Sequence, residues 1–204
     1  SSAASDVYKR QGINCASHDV RFEEDNWESP TLGAWGIGWQ VMLDGQEITQ
    51  FTYFQQAGGQ VLSPVSTEIT YGLERIAMLL QRVDNVFDIE WSPGVKYGAV
   101  RLQEEVEQSK YVFGRVDQPP EDFASFHRGL FEQYEVFART LLKTRLVIPA
   151  LDYCLKCSHI FNVLDASSGI GVAERTAYVL RVRKLAVAIA QAYIDNGEAN
   201  EAGD

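Results

Sequence analysis

The sequence predicts an α+β fold in which a mostly antiparallel sheet with backing helices precedes a C-terminal helical bundle. β-Branched and aromatic runs between short glycine turns fill the first third of the chain, and apolar residues at helical spacing dominate its last half. In addition, 46% of the 204 residues are hydrophobic, which is enough apolar material for packed cores. No window approaches the roughly 18 to 20 apolar residues of a membrane span, so we expect no membrane contact and a cytoplasmic location.

Strand patterns begin at His18, where Val20 and Phe22 alternate with charged residues. The predicted strands cover residues 20–23, 40–43, 47–56, 61–65 and 68–70. Turns are predicted at 24–26 and 27–30. The Asp44-Gly45 and Gly58-Gly59 pairs are hairpin signals, which makes the predicted sheet a meander of antiparallel strands.

Helical spacing begins after Gly72. The predicted helices cover residues 73 to about 84, 103 to about 110, 121–144, 149–162 and 172 to about 196, with a connector at 86–100. Pro119-Pro120 and Pro149 mark two of the starts, and Ser167-Ser168-Gly169 is the predicted cap of the last helix.

The formal charge of the chain is -10, from 28 acidic and 18 basic residues, which disfavours nonspecific binding to a polyanion. Any RNA that the protein uses is therefore expected to be held mainly by a partner. Four basic residues lie along the last helix, and we favour a solvated helix surface over an RNA contact for them. They are Arg175, Arg181, Arg183 and Lys184.

The three cysteines form no disulfide framework, since their number is odd and two of them make a lone CxxC inside a predicted helix. Cys154 and Cys157 have no second pair that would complete a tetrahedral zinc site. We therefore expect no zinc, and a buried structural pair instead.

The junction at Gly72 is the most informative local feature, because a strand ends there and a helix carrying Glu74-Arg75 starts at once. A planar, always charged arginine at such a corner can lie on a purine ring or fork onto phosphate oxygens. The alternative for a bare Gly-Leu-Glu-Arg run is an ordinary ion pair at a helix start.

Seven segments of the chain resemble the alpha subunit of bacterial heterotetrameric glycyl-tRNA synthetase. They are residues 24–36, 50–56, 68–75, 85–88, 105–109, 131–135 and 159–166. The resemblance covers about His18 to Ile194. It implies a class II aminoacyl-tRNA synthetase, in which an antiparallel sheet binds ATP and glycine.

The resemblance also implies roles in ATP binding and catalysis. Gly72 to Arg75 match the end of the third class motif, so Arg75 is expected to stack on adenine and approach the γ-phosphate, with Gly72 in the ATP site. Glu47 is expected to position Mg²⁺ on the ATP phosphates, and Glu74 to anchor the corner through a salt bridge.

For glycine, the resemblance implies that the Glu68 carboxylate holds the substrate ammonium group and that the Gln50 amide contacts the amino acid. The alternative for Glu68 is a surface charge at a strand edge. Residues three apart on a regular strand face opposite sides, so Glu47 and Gln50 serve one site only if the strand is bulged or strongly twisted.

Exclusion of larger amino acids matters more for glycine than attraction, because this substrate has no side chain to hold. Trp27 and Trp35 are candidates for the wall of a small pocket, with filling of the sheet core as an equal alternative. Thr52 is a further candidate for the glycine site.

Four regions follow from the patterns and the resemblance together. We expect residues 1–17 to be a disordered leader outside the family and 18–100 to be the C-terminal part of a class II catalytic core. Residues 101–196 are the expected helical domain, and 197–204 a flexible tail.

In the family, the part that precedes the segment matched at His18 carries the first two class motifs, so we expect this chain to be a fragment that is inactive alone. The implied partners are a beta subunit, a second alpha subunit in a homodimer, glycine and tRNA(Gly), the last bound mainly through the beta subunit. The competing hypothesis is a noncatalytic synthetase-like module with a regulatory or assembly role.

Overall fold

A computed structural model describes residues 12–113 and 122–201 of the chain. The predicted leader and tail therefore lie in part outside the described residues, as does the predicted helix start at Pro119-Pro120. Within the described ranges, no helix combines the length and the apolar character needed to cross a bilayer.

The main sheet has the strand order β1-β3-β4-β5, and β2 pairs with β3. Its strands are β1 (Val20–Glu24), β2 (Trp27–Ser29), β3 (Ala34–Leu43), β4 (Gln46–Ala57) and β5 (Gln60–Tyr71). β1 runs antiparallel to β3, with Val20 opposite Leu43 and Glu24 opposite Trp39.

The two predicted hairpins are confirmed. Asp44 and Gly45 join β3 to β4 with φ angles of 51° and 82°, and Gly58 and Gly59 join β4 to β5 with φ angles of 57° and 74°. Two successive positive φ angles give the backbone twist that lets adjacent strands pair across a two-residue turn.

Three strand predictions need correction. The turn predicted at 27–30 contains the short strand β2, β3 begins at Ala34 instead of Gln40, and the runs at 61–65 and 68–70 are one strand, β5. Pairing with neighbouring strands holds these segments extended in spite of their glycine, serine and proline residues, which locally favour turns.

The helices begin with α1 (Leu73–Gln81), directly after β5. The others are α2 (Gln103–Ser109), α3 (Phe123–Lys143), α4 (Val147–Ala166) and α5 (Val172–Glu201). The connector predicted at 86–100 contains a two-stranded sheet of β6 (Glu90–Ser92) and β7 (Val95–Lys96).

Residues 167–169 were predicted to cap the start of the last helix, and this prediction is wrong. Ser168 has a left-handed φ of 57° and Gly169 N donates to Leu164 O at 2.8 Å, so this segment ends α4. The following helix, α5, begins at Val172, and the N–H of the preceding Gly171 donates to the Glu174 carboxylate at 3.1 Å. Serine and glycine occur at both kinds of helix end, which is why the sequence signal was ambiguous.

Contacts divide the chain into two compact units. Of the described residues, the first unit contains 12–27, 36–53 and 66–109, and the second contains 28–35, 54–65, 110–113 and 122–201. In the first unit, Ile13, Leu43, Ile48 and Ile76 form a buried cluster. Ile13 belongs to the range that we expected to be a leader.

The second unit has its core between α3, α4 and α5. Phe131 is fully buried and meets the Tyr178 ring edge-on at 4.7 Å between ring centres. Cys154 and Cys157 are also fully buried, and burial raises the pKa of Cys154 to about 11 and that of Cys157 to about 12. The pair is therefore part of the helical core.

The prediction of a solvated basic surface on the last helix is wrong for Arg181. Its guanidinium lies 4.5 Å above the Phe131 ring and forms ion pairs with Glu132 and with Glu135, which is 8% exposed. Arg175 also has an acidic partner, Asp165, at 3.2 Å. A single sequence shows the periodicity of a helix, but it does not show which acidic residues of other helices will pack against that helix.

Candidate functional site

The corner at Gly72 belongs to the first unit and is tied to strand β4. Gly72 N donates to Ile48 O at 2.8 Å, and Gly72 O accepts the first helical bond of α1, from Ile76 N at 2.9 Å. A Cβ at Gly72 would lie 3.3 Å from Arg75 Cδ. Glycine at this position thus leaves the space across which the Arg75 side chain extends.

Arg75 forms an ion pair with Glu47 at this corner. Its Nη1 donates to Glu47 Oε2 at 2.6 Å and to the Glu47 carbonyl oxygen at 3.2 Å. The side chains remain 47% and 29% exposed, respectively. The guanidinium is therefore held through one nitrogen, while the Arg75 side chain as a whole remains about half exposed.

A cleft of about 660 Å³ lies beside Arg75. Its lining mixes charged and polar side chains with apolar ones, and includes Gly72, Glu74, Arg75, Met78, Asp84 and Asn85. A cleft of this size and composition can accept a polar ligand next to the arginine.

Glu74 has a different partner from the one predicted. Its Oε1 accepts a hydrogen bond from the Tyr97 hydroxyl at 2.8 Å, where we expected a salt bridge. The Glu74 backbone N–H and then the Tyr97 hydroxyl hold the pKa of the Glu74 carboxyl below its ordinary value. The same hydrogen bond raises the pKa of Tyr97. Tyr97 was not identified from the sequence, because it lies in the segment treated as a connector.

Gln50 contacts Asp25, a residue whose sequence context predicted only a turn. Gln50 Nε2 donates to Asp25 Oδ2 at 2.7 Å and lies 3.5 Å from the Asp25 carbonyl oxygen. The available signal for Asp25 was its position at the head of a segment, 24–36, that carries the family resemblance.

The remaining candidates for the glycine site are on β2 to β5. The Glu68 carboxylate accepts a hydrogen bond from Thr70 Oγ1 at 2.6 Å and is exposed, whereas Thr52 is buried at 3% exposure. Trp27 is half-buried in the first unit, and Trp35, which is 41% exposed, belongs to the second.

The structure thus joins Glu47, Gly72 and Arg75 into one contact group. Gln50, three residues beyond Glu47 on β4, bonds the turn after β1, while Glu47 bonds helix α1. Within residues 12–113 and 122–201, no group of three or more His, Cys, Asp or Glu side chains is placed to hold a metal ion.

The antiparallel sheet that the resemblance implies for class II aminoacyl-tRNA synthetases is present, and the helix that begins after Gly72 with Leu-Glu-Arg directly follows its strand β5. The family model of the glycyl-tRNA synthetase alpha subunit matches residues 5–198, and the chain belongs to this family. This range includes part of the predicted leader.

A curated relative is similar over most of the chain. The glycine–tRNA ligase alpha subunit of Coprothermobacter proteolyticus is 56% identical over 190 residues, which are 93% of this chain and 63% of that protein. The chain therefore spans less than two thirds of the length of this relative.

Proposed function

We propose that this chain carries the glycine-activating site of a glycyl-tRNA synthetase. In this proposal the intact protein condenses glycine with ATP to give glycyl-adenylate and pyrophosphate, and then transfers the glycyl group to tRNA(Gly) with release of AMP. The observation that carries the proposal is the Arg75–Glu47 pair at the Gly72 corner, in a chain that belongs to the alpha subunit family.

The chemistry needs mainly positioning and charge stabilisation. A glycine carboxylate oxygen attacks the α-phosphorus of ATP, a new P–O bond forms, and the bond to the leaving pyrophosphate breaks. The open face of Arg75 suits stacking on adenine, and its positive charge suits an approach to the γ-phosphate. Glu47 would hold the guanidinium in place during this step.

The donor set at Glu47 fits a magnesium ion that arrives with ATP. A carboxylate can accept a hydrogen bond from Arg75 on one oxygen and offer the other to a hard cation, and Mg²⁺ often needs only one or two carboxylates in addition to substrate phosphates. When bound, the ion would supply positive charge to the phosphate oxygens.

Glycine recognition would combine charge pairing with the substrate ammonium group and steric exclusion of larger amino acids. Glu68 is exposed on β5 and is suited to pair with the substrate ammonium group, and Gln50 would contact the same amino acid. Trp27 and Thr52, which belong to the same unit as Gln50 and Glu68, would limit the space for larger side chains.

The proposed partners are a beta subunit and a second alpha subunit, with tRNA(Gly) held mainly by the beta subunit. A net charge of -10 supports this division, since the chain as a whole repels a polyanion. The proposed site of action is the cytoplasm, where tRNA charging serves translation.

Glycine-dependent exchange of pyrophosphate into ATP tests the proposal. The intact protein that contains this sequence is assembled with the proposed beta subunit, and exchange is measured with glycine, alanine and no amino acid. We expect exchange with glycine to exceed that with alanine by at least about tenfold, because one extra methyl group must be rejected in a crowded pocket. An assembled protein without glycine-dependent exchange would contradict the proposal.

A further inference from the structure

We infer that Asp25 is a positioning residue for glycine, which fixes the Gln50 amide so that its oxygen faces the substrate ammonium group. The inference rests on the proposed function and assigns a task to a residue that the family motifs did not indicate.

The turn that carries Asp25 is fixed to strand β3 at Gly38. Asp25 N donates to Gly38 O at 2.9 Å, and Gly38 N donates to Asn26 Oδ1 at 3.1 Å. A Cβ on Gly38 would lie 2.5 Å from Asp25 O and 3.1 Å from Phe51 O. The absence of a side chain at Gly38 is thus what lets the turn approach the sheet.

This close approach places the Asp25 carboxylate against Gln50. Its Oδ2 lies 2.7 Å from Gln50 Nε2, with the Asp25 carbonyl oxygen 3.5 Å from the same nitrogen. Ionised carboxylate and carbonyl oxygens only accept hydrogen bonds, so the Gln50 atom that faces them is the NH₂ group. An inverted amide would put oxygen against oxygen.

The orientation of the amide determines what Gln50 offers to a ligand. With Nε2 committed to Asp25, the opposite end of the amide is Oε1, which accepts and cannot donate. An acceptor suits the ammonium group of glycine and not its carboxylate. Asp25 would therefore act on substrate recognition through Gln50.

The test compares two inhibitors that differ only in the ammonium group. Glycyl-sulfamoyl-adenosine carries it, and acetyl-sulfamoyl-adenosine does not. The inhibition constants of both are measured in pyrophosphate exchange by the assembled enzyme, for wild type, Asp25→Ala, Gln50→Ala and the double variant. A general loss of structure weakens both inhibitors alike, so the ratio of the two constants isolates recognition of the ammonium group.

In wild type we expect the glycyl compound to bind more tightly. In Asp25→Ala this preference should fall about tenfold, the usual effect of a lost hydrogen bond to a charged group. In Gln50→Ala the preference for the glycyl compound should fall by the same factor. In the double variant it should fall no further than in either single variant, because both changes remove the same contact. Asp19→Ala is the matched control, an exposed aspartate before β1 whose carboxylate bonds Arg21, and should keep the wild-type ratio.

The outcomes distinguish failure of the proposed function from failure of the role assigned to Asp25. If wild type shows no glycine-dependent exchange, the proposed function fails and this inference with it. If wild type is active and the ratio is unchanged in Asp25→Ala, or if the two single losses multiply in the double variant, only the role of Asp25 is wrong. Should Asp25→Ala not fold, Asp25→Asn replaces it: an amide offers Gln50 a donor as well as an acceptor, so a smaller loss in the same direction is expected.

Discussion

The Gly72 corner and the helical unit use the same residue types in opposite ways. At the corner, Arg75 and Glu47 form an ion pair in which the arginine is 47% exposed. In the helical unit, Glu135 is 8% exposed and accepts hydrogen bonds from both Arg139 and Arg181.

This difference shows which charges are available to a ligand. An exposed ion pair contributes little to stability, so a substrate can share or replace its contacts at low cost. A buried carboxylate with two arginine partners is part of the packing, and removal of one member leaves an uncompensated charge in the interior. The contrast predicts that variants at the corner affect activity and variants in the helical unit affect stability.

The largest expected effect is on catalysis, from Arg75→Ala. We expect glycine-dependent pyrophosphate exchange to fall by about a thousandfold, because the proposed function places the positive charge of Arg75 at the ATP phosphates. The free energy of unfolding should change by less than about 1 kcal/mol, as is usual for an exposed pair. Exchange assays and urea unfolding measure the two quantities, with Arg21→Ala as an exposed arginine control. Near-normal exchange in Arg75→Ala would remove the basis of the assigned site.

Next in size is a loss of stability from Glu135→Ala. We expect the free energy of unfolding to fall by about 3 kcal/mol, since Arg139 and Arg181 lose a buried partner. The control is Glu132→Ala, which removes a 58% exposed partner of the same Arg181 and should cost less than about 1 kcal/mol. If urea unfolding shows the same loss of unfolding free energy for both variants, burial does not determine how much each carboxylate contributes to stability.

The stabilising effect of Glu135 should also depend on pH. Burial alone would raise the pKa of this carboxyl, but the hydrogen bonds from Arg181 and Arg139 outweigh it, so the pKa in the folded protein lies below its ordinary value. Its contribution is then fully present above the ordinary pKa of about 4.3 and is lost as the pH falls through the lower, folded value. Urea unfolding of wild type and Glu135→Ala should give free energies of unfolding that converge as the pH is lowered. A difference between the two that does not change with pH would contradict this pH dependence.

The smallest effect is expected from Tyr97→Phe, which removes one exposed hydrogen bond to Glu74. Loss of the hydroxyl should move the pKa of Glu74 up toward its ordinary value, because the hydrogen bond stabilises the ionised form. Carboxyl carbon NMR titration measures this shift, and pyrophosphate exchange should fall by less than about tenfold. A Glu74 titration identical to that of wild type would mean that Tyr97 does not influence this carboxyl.

Local patterns were enough for much of the fold. Asp44-Gly45 and Gly58-Gly59 identified both hairpins because few residue pairs adopt two positive φ angles. The long helices followed from apolar spacing. The continuity of β5 was not visible, since pairing with β4 decides whether residues between its two apolar runs stay extended.

At the site, the residues themselves indicated Gly72 and Arg75 and the family resemblance added Glu47; the structure joins the three by hydrogen bonds or close approach. It did not indicate Asp25, which lies 25 residues from Gln50 and reaches it only through the position of the turn after β1. The Glu135–Arg181 contact has the same origin, as it links residues 46 apart on different helices. Such contacts depend on strand register and helix packing, which no local pattern encodes.

The buried cysteine pair can report local unfolding of the helical unit through its reaction with thiol reagents. At neutral pH the raised pKa values keep both thiols protonated, and a protonated, enclosed sulfur does not react with alkylating reagents. Cys15, which is partly exposed, is the other cysteine of the chain. Alkylation of Cys154 and Cys157 under native conditions would therefore proceed only through opening of the helical core, and its rate would measure how often that core opens without any engineered probe.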